Sequence, residues 1–276
     1  MGIVRFNFNS QTLMQQVNVT ICLPTYGFED AAKGVDAQAY YRPGMKYQTL
    51  WLLHGGSGDD ADYVTFSNIA RYAEEHKVAV VCPADYNQYY TNDLHGGARY
   101  FDYIVDELPQ VLRGLFPLSP KREDNFVGGL SMGGCGAFKC AIARPDLYSA
   151  ALIMSGSILS KSWLEDRYAA GGNSILFSRL GTPDTFENGP DDMWSYARKQ
   201  ADAGTEMPKF FLSVGSEDFT LDVMRASCAY IRGLGFDVEV YEEVEGLRHE
   251  WKLWDRTLEK ALNEWLPVKN KPVYRD

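Results

Sequence analysis

The sequence predicts an α/β fold, a mostly parallel central sheet with helices on both faces, and three observations lead there. Beyond residue 45, strand-sized apolar runs alternate with segments of helical periodicity. Several of those runs, residues 50–53 and 78–82 among them, are apolar throughout, as strands buried on both faces are. The chain has 276 residues, is 45% hydrophobic and holds 17 Tyr, 14 Phe and 6 Trp, enough apolar material for one large core. A single domain over residues 1–276 is expected.

The elements follow in order. Residues 3–8 and 17–23 alternate polar and apolar and predict a β-hairpin, followed by a Gly/Pro-containing loop over 24–44 and a strand over 47–54. Asp59 or Asp60 can cap one helix carrying Tyr63, Phe66, Ile69 and Ala73, and a strand over 78–82 follows. A polar, Tyr-rich loop over 85–97 leads to a helix with Phe101, Ile104, Leu108, Leu112 and Leu115 on one face, which Pro109 should kink. Next come a strand over 125–130, a helix over 132–143 stopped at Arg144-Pro145, and a strand over 149–154. Residues 156–207, with Gly171-Gly172, Pro183 and Gly189-Pro190, break the alternation and predict a cap-like insertion after the strand that follows the 132–143 helix. Alternation resumes with a strand over 209–214, a helix bearing Leu221, Met224, Cys228 and Ile231, a strand over 236–241, and a last helix from Trp251 to Trp265.

Chemistry concentrates at three strand ends. Gly129-Leu130-Ser131-Met132-Gly133 is a G-x-S-x-G sequence between an apolar strand and a helix, the setting of a nucleophile elbow. A serine hydroxyl needs a base, and the base needs an acid to hold its tautomer. In α/β-hydrolases these follow the serine in the order acid, then histidine. Of His54, His76, His95 and His249, only His249 lies downstream. The acid is expected in Gly215-Ser216-Glu217-Asp218, where Asp218 is the choice and Glu217 the reserve. Leu53-His54-Gly55-Gly56-Ser57 ends another strand in the form that offers backbone N–H groups to an oxyanion. The donors assigned are Gly56 and Met132, with Ser57 as a third candidate, and His54 is read as a structural residue of that loop.

Composition narrows the partners. A net charge of -10, with no basic stripe, argues against nucleic acid and acidic membranes. No apolar stretch approaches the roughly 20 residues of a spanning helix, and the N-terminal residues show neither a signal-peptide pattern nor a myristoylation signal. Cys22, Cys82, Cys135, Cys140 and Cys228 form no CxxC pair, and the histidines have no ligand spacing, so no metal and no cofactor is implied. A cytoplasmic location is expected, with a homo-oligomer left open.

These motifs together resemble the esterase D superfamily of α/β-hydrolases, which includes S-formylglutathione hydrolases, tributyrin esterases, and feruloyl and acetylxylan esterases. The resemblance runs over residues 47–266 and rests on Leu53-His54-Gly55-Gly56, Tyr89-Tyr90-Thr91-Asn92 with the helix over 103–108, Gly129-Leu-Ser-Met-Gly-Gly, Gly215-Ser-Glu-Asp218, and His249 followed by Trp254. It implies an α/β-hydrolase fold with Ser131 as nucleophile, His249 as base, Asp218 as acid, and Gly56 with Met132 as oxyanion hole. The first 46 residues and the insertion lie outside it.

The function expected is a serine carboxylesterase acting through an acyl-enzyme on small-molecule esters: acetyl, butyryl or feruloyl-type, on an acylated sugar or as a hydroxycinnamate ester. The rivals are an S-formylglutathione-type thioesterase and a catalytically inactive binding relative. Tyr86, Tyr89 and Tyr90 in one loop, with Trp163, Phe177, Phe186 and Trp194 in the insertion, leave the sheet on the side of Ser131. Tyr89, Tyr90, Trp163 and Trp194 are therefore candidate pocket walls, against the alternative that the insertion's aromatics form a small core of their own.

Overall fold

The computed structural model describes residues 1–171 and 178–274. Its strands are β1 (Gly2–Ser10), β2 (Gln15–Leu23), β3 (Met45–Lys46), β4 (Gln48–Leu53), β5 (Val78–Pro83), β6 (Asn125–Leu130), β7 (Ala150–Met154), β8 (Lys209–Gly215), β9 (Val238–Val244) and β10 (Val273–Tyr274). Eight of them form one sheet in the order β1-β2-β5-β4-β6-β7-β8-β9, and β3 pairs with β10 apart from it. The six strands from β5 to β9 run parallel, while the β1–β2 hairpin joins the edge of β5 antiparallel. This is the α/β-hydrolase fold.

The apolar runs explain the layering. β4, β5 and β6 are buried at every residue, so side chains on both faces need cover. Among the described residues, the helices of eight or more residues are α1 (Ile69–His76), α2 (Leu108–Leu115), α3 (Met132–Ala143), α4 (Lys161–Ala169), α5 (Met193–Asp202), α6 (Leu221–Gly233) and α7 (Trp251–Lys260). Trp51, Leu53, Val81, Val127 and Ile153 meet residues of α2, α3 and α6 on one face. Leu50, Leu52, Val80, Phe126 and Leu152, one residue out of phase, meet α1 and α7 on the other.

Several elements differ from expectation for local reasons. The helix expected after Asp59 is two, Asp62–Phe66 and α1, because Ser67 turns extended and its hydroxyl accepts from the Ile69 N–H, while Asp255 holds Asn68. Helix runs without interruption from Tyr100 to Leu115, and Pro109, which has no N–H to donate, follows directly on a wide π turn over Tyr103–Glu107, where the ladder of bonds is already shifted. The 24–44 loop contains two short helices, Phe28–Ala32 and Ala37–Tyr40. β9 starts at Val238 instead of 236, because the Phe236 N–H donates to Ile231 O and closes α6 through Gly235 at φ +83°. The last helix widens to a π turn over Ala261–Trp265.

Within residues 156–207, α5 packs on α3, and the turn Pro183–Phe186 packs on α4. Leu164, Leu180 and Phe186 form a separate small cluster with Tyr89, Leu159 and Trp163. A buried ion pair between Lys139 of α3 and Asp191 fastens this segment to the sheet layer. Among the described residues, no helix is long and apolar enough to cross a membrane.

Candidate active site

Ser131 sits between β6 and α3 at φ +54° and ψ -119°, a conformation that L-residues adopt only where the surroundings enforce it. The enforcement is close packing. A Cβ on Gly133 would lie 2.0 Å from Leu53 O, and one on Gly129 would lie 2.2 Å from Gly133 O. The turn therefore cannot form with side chains there. It lifts the Ser131 side chain clear of the strand end.

The Ser131 Oγ–H donates to His249 Nε2 at 2.8 Å, and His249 Nδ1–H donates to both Asp218 carboxylate oxygens at 3.0 Å. Burial pushes the Asp218 carboxyl up, but hydrogen bonds from His249, the Thr220 backbone and Ser155 outweigh it and hold the carboxyl below its ordinary range. An ionised Asp218 can only accept, so the imidazole proton belongs on Nδ1 and the Nε2 lone pair faces Ser131. The reserve acid, Glu217, lies elsewhere: its carboxylate pairs with exposed Arg248 at 2.8 Å.

Three residues that no sequence motif marks complete this arrangement. Ser155, at the carboxyl end of β7 with φ +49°, accepts from Trp254 Nε1 at 2.9 Å, and its hydroxyl helps to hold the Asp218 carboxyl below its ordinary range. Thr220 gives Asp218 Oδ1 both its N–H and its hydroxyl at 2.8 Å. The Phe219 ring is tilted against His249 at 4.3 Å between centroids, and Trp254 meets the imidazole at right angles at 5.0 Å. The position of Ser155, at the carboxyl end of a strand beside the nucleophile's strand, is the one signal that could have pointed to it.

The oxyanion loop shows one departure. A Cβ on Gly55 would lie 3.5 Å from Ser131 Cβ, so the loop runs against the serine, and Gly56 faces open space. Met132 is the first residue of α3, where N–H groups lack partners within the helix. Ser57 does not serve as a third donor, because its N–H is taken by Asn87 Oδ1 at 2.6 Å. His54 is fully buried, its Nδ1–H donating to Gly55 O and its Nε2 accepting from the Asp85 N–H; burial lowers its pKa and keeps it neutral.

The candidate pocket aromatics divide. Tyr89 lines a narrow cleft with Thr91, Cys135, Lys139, Ile158, Leu159, Leu180, Asp191 and Met193, of which Cys135 is one helical turn along α3 from Ser131. Its free volume is about 10 Å³, near that of one water-sized sphere. Tyr90 is no pocket wall: it is fully buried against Gly136, with its hydroxyl donating to His54 O. Trp163 packs with the small cluster of the insertion, and Trp194 stacks on Tyr230 at 4.2 Å, lining a different cavity with Phe186 and Ser195. Phe177 lies outside the described residues. Among the described residues no cluster of His, Cys, Asp and Glu could hold a metal.

Fold and site define the class as α/β-hydrolase. Residues 34–265 match the esterase family model described as "Putative esterase", and the chain belongs to that family of carboxylic ester hydrolases. An acetyl esterase of Caldicellulosiruptor saccharolyticus is 27% identical over 96% of this chain and 98% of its own. Two Staphylococcus aureus structures are also 27% identical, each over 96% of this chain and 98% of theirs. One is the fluorophosphonate-binding serine hydrolase F (TM-score 0.81), the other an S-formylglutathione hydrolase (TM-score 0.79). A ferulic acid esterase at 18% identity and TM-score 0.72 shares the fold, over 96% of this chain and 97% of its own.

Proposed function

We propose that the chain is a serine esterase that removes short acyl groups, acetyl above all, from alcohols through an acyl-enzyme on Ser131. The observation that carries the reading is the unbroken hydrogen-bond chain from Ser131 Oγ through His249 to an ionised Asp218, set at a strained elbow. His249 Nε2 takes the hydroxyl proton as Oγ adds to the ester carbonyl, and the Gly56 and Met132 N–H groups receive the oxyanion. Collapse breaks the carbonyl–alkoxide bond, and the proton passes from His249 to the departing alcohol. A water then repeats the sequence on the acyl-enzyme, releasing the acid and restoring Ser131. Asp218 holds the imidazole and stabilises its charged form throughout.

We read the narrow cleft that starts one helical turn along α3 from Ser131 as the acyl side, which favours a small acyl group over hydroxycinnamoyl. The acetyl esterase relative supports the same choice. Residues 156–207 are read as a cap-like insertion of a single domain, with Tyr89 and Leu180 helping to narrow that cleft. The free state of all five cysteines suits a reducing compartment such as the cytoplasm.

The test is kcat/KM across p-nitrophenyl acetate, butyrate and octanoate, methyl ferulate and S-formylglutathione. Acetate is expected to rank first and octanoate to fall by about tenfold or more, as a crowded apolar pocket rejects extra methylenes. A higher value on S-formylglutathione would replace the ester reading with a thioesterase. No turnover of any substrate by the folded protein would favour an inactive binding relative.

A further inference from the structure

Resting on the esterase reading, we infer that Phe219 selects the alcohol half of the ester, and that this half is a ring with an apolar face, stacked on the exposed phenyl beside His249. Single exposed apolar residues are common on protein surfaces and mean little alone. Phe219 differs by position. It is 74% exposed, yet its ring lies 4.3 Å from that of His249 at an interplanar angle of 41°. Trp254, the other aromatic against His249, is 6% exposed and tied to Ser155, so of these two rings Phe219 is the one exposed to solvent.

The chemistry puts the alcohol there. The departing oxygen must collect its proton from His249 Nε2, and so must come within hydrogen-bond reach of that nitrogen. The carbons attached to that oxygen then lie alongside whatever borders the imidazole. The acyl group has the cleft of Tyr89, Cys135, Ile158 and Met193 one helical turn away. The residues on either side of Phe219 are anchored: Asp218 binds His249, and Thr220 donates twice to Asp218. Beside it stand Glu217 and Arg248, paired with each other and exposed, which are groups suited to the hydroxyls of a sugar. Sugar and aryl alcohols share the apolar ring face, and the measurement separates them.

The experiment compares ethyl acetate, phenyl acetate and a monoacetylated methyl glucopyranoside on the unmodified enzyme, Phe219→Ala and Phe219→Trp. All three substrates pass through the same acetyl-enzyme, so a contact with the alcohol alters acylation and leaves deacetylation unchanged. Phe219→Ala is expected to lower kcat/KM about three- to tenfold on ring acetates relative to ethyl acetate, the worth of one stacking contact, mainly through KM. Phe219→Trp should restore the preference. A loss confined to phenyl acetate assigns an aryl alcohol, and one that includes the glucopyranoside assigns a sugar. An equal loss on all three esters with a displaced pH profile would overturn the inference in favour of a positioning role toward His249, and no loss on any would overturn it outright. Failure of the esterase reading itself would look different, with the unmodified enzyme cleaving none of the three.

Discussion

Ser155→Ala removes one hydroxyl from beneath the site and leaves the backbone at φ +49° with the same Cβ it already carries. Two bonds are lost. The buried Trp254 Nε1 loses its acceptor at 2.9 Å, which costs about 1–3 kcal/mol for an unsatisfied donor. The Asp218 carboxyl, which the Ser155 hydroxyl helps to hold below its ordinary range, loses part of that support. Because the two share one hydroxyl and the site relaxes, about 2 kcal/mol of net destabilisation is expected, or roughly 3–4 °C in Tm for a chain of this size. The folded Asp218 carboxyl lies below its ordinary value, so its contribution to stability is present above about pH 4 and is lost as pH falls through the folded value. Removing the Ser155 donor raises that folded value. The part of the stability gap due to Asp218 should be full at neutral pH and close under acid, while the Trp254 part persists. With Trp254 freed and Asp218 held by fewer bonds, His249 is less well oriented, and kcat should drop about tenfold, far less than removal of the nucleophile would cause. Steady-state kinetics on p-nitrophenyl acetate and thermal unfolding at pH 7 and toward pH 2 measure both effects. Unchanged kcat together with unchanged Tm would refute the role given to Ser155.

Lys139→Met should destabilise by about 3–5 kcal/mol, because it strands the buried Asp191 carboxylate under residues 156–207; the double variant with Asp191→Leu should recover most of that in denaturant unfolding. Glu242, held at about 2 by hydrogen bonds from Arg256 and Lys260, ties β9 to α7 and contributes stability that is complete above about pH 4.5 and lost toward pH 2. Glu242→Gln is therefore expected to lower stability by about 1 kcal/mol at pH 7, allowing for solvent screening, and by nothing measurable near pH 2. Gly133→Ala should abolish the elbow, since its Cβ would meet Leu53 O at 2.0 Å; soluble, active protein from this variant would contradict the packing argument.

What the sequence disclosed, and what it hid, follows from how far each signal reaches. The parallel sheet was legible because both-face burial leaves continuous apolar runs, as in β4 and β5. The elbow was legible because only glycine fits where backbone meets backbone at 129 and 133. Asp218 and His249 could be named from chain order because β8 and β9 are the last parallel strands, and their following loops emerge on the side of Ser131. The pocket was not legible. An aromatic residue carries no mark of which neighbour buries it, and Tyr90 and Trp163 went to local cores. Ser57 was misjudged because its N–H is taken by Asn87, 30 residues away in sequence. Ser155 and Phe219 belong to no motif, and their roles arise from contacts across the sheet end.

The account rests on Ser131 as the acylated residue, and trapping tests that most directly. Treatment with a fluorophosphonate, followed by intact-mass and peptide mass spectrometry, should show one adduct on the Ser131 peptide and none in Ser131→Ala. The variant should keep its fold while kcat on p-nitrophenyl acetate falls by about 10⁶. An adduct on another residue, or a Ser131→Ala protein that still turns over acetate at near the original rate, would contradict the account.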